Sequence, residues 1–150
     1  MKFYPPMAAL LVTASLVGCT TSSNHSMNLP LAATHANPGK IATTTLTSVD
    51  DKTNFDFYIT GVPAGTIMPP RIFTFINKGS CQQPGPVAYA MNDIVTTERQ
   101  AIRGWTFSRS APVELSALLA GEYSVVVRTA ATDGNVDIFC GDIKEQSVAK

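Results

Sequence analysis

The stretch Asn54-Phe55-Asp56-Phe57-Tyr58-Ile59-Thr60 alternates with a period of two. In an extended chain this puts Phe55, Phe57 and Ile59 on one face and Asn54, Asp56 and Thr60 on the other. Such a segment is a half-buried antiparallel strand, packed on one side and wet on the other. Residues 41–47 are mostly β-branched, which suits a pleated backbone. Residues 71–77 are apolar on both sides and read as a central strand. Residues 87–91, 100–107, 123–128 and 136–140 bring the set to seven, with Trp105 and Phe107 sharing a face.

Turns separate these strands. Asp50-Asp51-Lys52, Gly61-Val62-Pro63-Ala64-Gly65 and the hairpin tetrapeptide Thr132-Asp133-Gly134-Asn135 carry the residues that reverse a chain. Residues 112–120 are the one helical stretch. Pro112 opens it, Gly121 follows its end, and Leu115, Leu118 and Leu119 recur at helical spacing. Short strands in succession with one short helix predict an all-β fold, an antiparallel β-sandwich.

Lys plus Arg and Asp plus Glu each number 11, so the formal charge is zero. The basic residues are scattered singly, which leaves no face for nucleic acid. Residues 20–38 are rich in Ser, Thr, Asn, Ala and Pro and read as a flexible tether. Both histidines, His25 and His35, fall in it.

The chain begins with Met1-Lys2, continues into an apolar run of about eleven residues and closes that run with Leu16-Val17-Gly18-Cys19. The run is too short to span a bilayer as a stable helix. The pattern resembles a bacterial lipoprotein signal, whose lipobox reads Leu-x-Gly-Cys. The resemblance implies cleavage before Cys19 and acylation of that thiol. The expected organisation is a leader over 1–18, an acylated cysteine and tether over 19–38, and a domain over 39–150. Thr20, rather than Asp, after the acylated cysteine points to the outer membrane of a Gram-negative envelope, on its periplasmic or surface side.

With Cys19 acylated, Cys81 and Cys140 remain in an oxidising compartment, where two thiols form a disulfide. Closing a loop of about 60 residues is worth roughly 4 kcal/mol in the chain-entropy model. Neither cysteine belongs to a Cys-x-x-Cys pair and no histidine adjoins either, so a zinc site has no support.

Four pieces then occur in one order: Gly61-Val62-Pro63-Ala64-Gly65; Gly79-Ser80-Cys81 with Gly85-Pro86-Val87; Leu118-Leu119-Ala120-Gly121-Glu122-Tyr123; and Cys140-Gly141-Asp142-Ile143. Over residues 40–143 this resembles the Cu,Zn superoxide dismutase-like β-sandwich. The resemblance implies a Greek-key sandwich and agrees with a Cys81–Cys140 bridge. It also implies where copper ligands would stand, and none is there. The family's His-x-His belongs in residues 66–80, which hold no histidine; Phe73, Phe75 and Asn77 are the occupants. A later strand normally ends in another histidine, near which this chain has Arg128. The family's substrate-guiding arginine is replaced by Asp137. Copper in such sites is held by imidazoles, so the resemblance implies a scaffold without its metal centre, and a fold does not carry chemistry without the site residues.

Other chemistry finds little support. A Ser-His-Asp or Cys-His arrangement needs a histidine within the domain. Asp50-Asp51 reads as a turn and Asp142 with Glu145 as a solvated tail. No glycine-rich loop precedes a helix to cradle phosphate. For binding, the loop 78–86 is held by Cys81, presents Gln82 and Gln83 and is braced by Pro84 and Pro86. It is either a recognition element or a well-closed loop. Arg103, Trp105, Phe107 and Arg109 could form an aromatic-basic surface, or Trp105 could belong to the core. Met68-Pro69-Pro70-Arg71 is an exposed proline turn or a tight strand entry.

The sequence therefore leads to a non-enzymatic envelope lipoprotein with no catalytic residue, metal or cofactor. It would be held to the membrane by its N-terminal lipid and would bind a protein or glycan partner or serve a structural role. Two alternatives stand beside it. One is a metal-dependent antioxidant enzyme, which would need His25 and His35 to fold back onto the sandwich. The other is a periplasmic hydrolase inhibitor, which no residue singles out.

Overall fold

The computed structural model describes Gly18 and residues 25–146; the rest of the leader, and Cys19, lie outside the described residues. The strands are β1 (Ser26–Ala33), β2 (Ala42–Val49), β3 (Lys52–Ile59), β4 (Ile72–Gly79), β5 (Pro84–Ala90), β6 (Glu98–Arg99), β7 (Trp105–Ala111), β8 (Tyr123–Thr129) and β9 (Asp137–Ile143), with a short helix α1 (Leu115–Ala120) before β8. All pairings are antiparallel, in the spatial order β5-β4-β8-β9-β1-β2-β3-β7-β6.

The sheet curls so that its two halves share one core. From β3 come Phe55, Phe57 and Ile59, the face that alternation assigns inward. They meet Ile72 and Ile76 of β4, Val125 and Val127 of β8 and Phe139 of β9 in a single cluster. Phe57 stacks between Phe55 and Phe107, with centroids 6.1 and 4.8 Å away. Each such side chain contributes roughly 1.5–3 kcal/mol by leaving water. Trp105 is also buried, so it belongs to the core and not to an aromatic-basic surface. Leu115 and Leu118 of α1 close one end. The hairpin turn at 132–135 is a short 3-10 turn closed by Gly134 at φ 95° and Asn135 at φ 53°.

Several expectations change. The segment read as tether contains β1, which pairs with β2 from Ser26 to Leu31 and with β9 at Ala32 and Ala33, forming the corner between the halves. Leu29 and Leu31 are its buried positions, 2 % and 5 % exposed. Asn37 is buried too, and its Nδ2 donates to the Gly61 carbonyl at 3.1 Å. Residues 26–37, read as tether, therefore belong to the folded body, and both histidines flank β1. The loop 78–86 contracts to a turn at 80–83, because β4 runs to Gly79 and β5 begins at Pro84. The strand placed at 100–107 starts at Trp105 and runs on to Ala111. Asp142 lies within β9, not in a tail.

Candidate functional site

The outer face of β4, β8 and β9 is the place to which the dismutase-like pattern assigns chemistry. On β4 it carries Phe73, Phe75 and Asn77, which pair across the strands with Arg128, Val126 and Ser124 of β8. A register shift between Val127 and Arg128 sets Asp137 of β9 opposite Arg128. The Arg128 Nε lies 2.6 Å from the Asp137 Oδ1, and its guanidinium carbon stands 4.8 Å from the centre of the Phe75 ring. Two residues that depart from the family pattern therefore neutralise each other over a third.

A covalent brace crosses this face. Cys81 and Cys140 form a disulfide with Cα atoms 5.9 Å apart, the pairing expected from the sequence. The Cys81 N–H donates to the Asp142 Oδ1 at 2.8 Å, and the Gln83 N–H donates to the Ser80 hydroxyl at 3.0 Å. Gly79 makes the turn possible: its φ is +83°, and a Cβ there would overlap the Gln83 carbonyl oxygen. Gly141, next to the bridge, lets β9 lie against β1, since a Cβ would strike the Leu31 side chain. Gln82 and Gln83 are exposed on the turn. Gln82 borders a shallow hollow of about 270 Å³ beside the bridge, together with Pro30 and Asp142.

Under the turn, the Asn77 Oδ1 and Ser124 Oγ are buried without a hydrogen-bond partner among the described residues. They offer a carbonyl oxygen and a hydroxyl, whereas the copper of the resembled sites is held by imidazoles. Phe73 and Phe75 have no donor atom at all. Among the described residues no three His, Cys, Asp or Glu side chains are grouped to hold a metal ion. His25 and His35 are exposed at opposite ends of β1, and that eight-residue strand is about 26 Å long. They cannot converge on one ion. The residues of this face do not fit the metal centre that the resemblance implies.

Arg109, one of the residues considered for an aromatic-basic surface, points inward. Arg109 lies on the same side of β7 as Phe107 and is only 6 % exposed. Its guanidinium carbon is 4.8 Å from the centre of the Phe107 ring. Nη1 donates to the Ser108 carbonyl at 2.8 Å, and Nη2 donates to the carbonyls of Ile72 and Thr96 at 3.1 and 3.3 Å. Among the described residues no carboxylate forms an ion pair with it. Burial pulls its pKa down to about 10, so it stays charged at neutral pH. Arg109 ties β7 to β4 and to the segment 91–97 across the gap where the curled sheet does not close. Its place in the alternation Trp105, Phe107, Arg109, Ala111 was the available signal.

No family model matches the chain, and neither a curated protein nor a solved structure matches it.

Proposed function

We propose that this is a non-enzymatic lipoprotein of the bacterial envelope, anchored through an acylated Cys19, whose β-domain binds a partner or serves a structural role on a dismutase-like scaffold without a metal centre. One observation carries the reading. Where the family pattern calls for copper ligands there are Phe73, Phe75 and an Arg128–Asp137 ion pair stacked on Phe75.

Two further features support the scaffold. The connections from β3 to β4, from β5 to β6 and from β7 to β8 all cross between the halves of the sheet, as in Greek-key folds. The disulfide joins the turn after β4 to the last strand, as in the family pattern. The antioxidant alternative loses ground, because His25 and His35 are parted by a strand. The outer membrane is the proposed location, from Thr20 after the acylated cysteine.

Two measurements test the reading separately. Membranes from cells making the Cys19→Ala chain should no longer retain the protein; retention equal to the parent refutes the anchor. The purified full chain, incubated with copper and zinc, should show no dismutation above that of the free ions. Saturable dismutation by the protein refutes the non-enzymatic role.

A further inference from the structure

We propose that the open edge of β7 receives an extended peptide from a protein partner, basic at alternate residues, which adds as a strand beside Ser108 and Ser110. This rests on the binding role given above and names the class of partner.

Pairing of β6 with β7 covers only Trp105 and Thr106, and no strand flanks β7 beyond them on that side. The Gln100 N–H donates to the Gly104 carbonyl at 2.9 Å. In an antiparallel ladder this makes Glu98 and Thr106 a hydrogen-bonded pair two residues on. The same period turns the main-chain groups of Ser108 and Ser110 away from β3. The Ser108 carbonyl accepts from Arg109 Nη1. The N–H groups of Ser108 and Ser110 and the Ser110 carbonyl have no backbone partner among the described residues.

These groups border a groove of about 300 Å³ between β7 and the segment 91–94. The far wall is fixed. The Met91 N–H donates to the Thr74 carbonyl at 3.0 Å, and the Ile72 N–H donates to the Val95 carbonyl at 2.9 Å. The groove therefore lies beside an unpaired strand edge and is walled by backbone already committed to β4.

The chemistry of the occupant follows from two contrasts. Unpaired edges invite strand addition, and proteins blunt them with proline or charge. The opposite edge strand, β5, carries Pro84 and Pro86; β7 beyond Thr106 has no proline and only serines pointing outward. The charges also lean one way. Asp56 and Asp93 line the groove, and Glu98 lines its continuation over β2 and β3. The groove's cation, Arg109, is spent on carbonyls. Main-chain pairing would supply affinity, and Lys or Arg on the outward face of the added strand would meet these carboxylates.

The test uses the purified full chain in detergent and a fluorescent peptide, Val-Lys-Val-Lys-Val-Lys-Val, read by anisotropy, with its Glu-for-Lys counterpart as control. The lysine peptide should bind saturably, and the glutamate peptide roughly tenfold more weakly. Ser110→Pro removes one edge N–H that faces away from β3 and should weaken binding about tenfold, whereas Ser110→Ala should hold within about twofold. Hydrogen exchange on the unmutated chain covers the case in which Ser110→Pro fails to fold. The peptide should slow exchange at Ser108 and Ser110 and leave the β5 amides unchanged. Absence of saturable binding overturns the proposal, as does equal affinity of folded Ser110→Pro and Ser110→Ala or unslowed exchange at these two amides. None of these results bears on the anchor or on metal, which the membrane and dismutation measurements decide.

Discussion

The outer face of β4, β8 and β9 and the seam at β7 solve the same problem in different ways. Each lies where the curled sheet needs a tie. The first is tied covalently, by Cys81–Cys140 and the Cys81 N–H on Asp142. The second is tied by one buried guanidinium that reaches across to Ile72 and Thr96. The charged pair on the braced face is self-neutralising, and the Asn77 Oδ1 and Ser124 Oγ there, unpartnered among the described residues, are buried. The seam keeps main-chain groups without a backbone partner among the described residues, beside a groove. Each strand of the closed face has a neighbour on both sides, and the seam is where strand addition is proposed. The residues that the dismutase-like pattern marks for chemistry are on the closed face.

Four changes probe the contrast, and the largest effect is expected at the covalent tie. Replacing both Cys81 and Cys140 by alanine, or reducing the bridge, should remove about 4 kcal/mol of stability, read as a fall in the urea midpoint. An unchanged midpoint would mean that the brace is redundant. Leu29→Ala comes next, at about 3 kcal/mol; an effect near zero would mean that residues 26–33 behave as the tether their composition suggests. Arg109→Met should cost about 2 kcal/mol, because the carbonyls of Ser108, Ile72 and Thr96 lose a charged donor while the expense of burying the charge is relieved. Arg109→Lys should recover part of this. If Arg109→Met is as stable as the parent, the seam is not tied by that side chain. The smallest effect belongs to Arg128→Ala or Asp137→Ala, each below about 1 kcal/mol. A larger loss would show that the pair on the outer face holds the fold.

The strand pattern was legible where one face is aromatic or aliphatic and the other polar, as at Phe55, Phe57 and Ile59. The disulfide was legible from the cysteine count, because a pair was left over once Cys19 was set aside. β1 was hidden because its inward positions offer only Leu29 and Leu31 among Asn28, Pro30 and Ala32, so composition spoke louder than alternation. Arg109 was hidden for the opposite reason. Charge argues for the surface, yet the period of β7 points it inward, and its long stem lets the guanidinium reach carbonyls across the gap. The groove beside Ser108 and Ser110 depends on where pairing stops, and sequence periodicity does not record that.

Among the described residues, the outer face of β4, β8 and β9 carries no set suited to copper. Thermal unfolding of the full chain with and without copper and zinc tests it most directly. A metal present at about 1,000 times its dissociation constant would add about 4 kcal/mol to the folded state and raise the Tm by several degrees. No rise is expected with either metal; a saturable rise with copper that disappears in a chelator would show that this face still holds a metal.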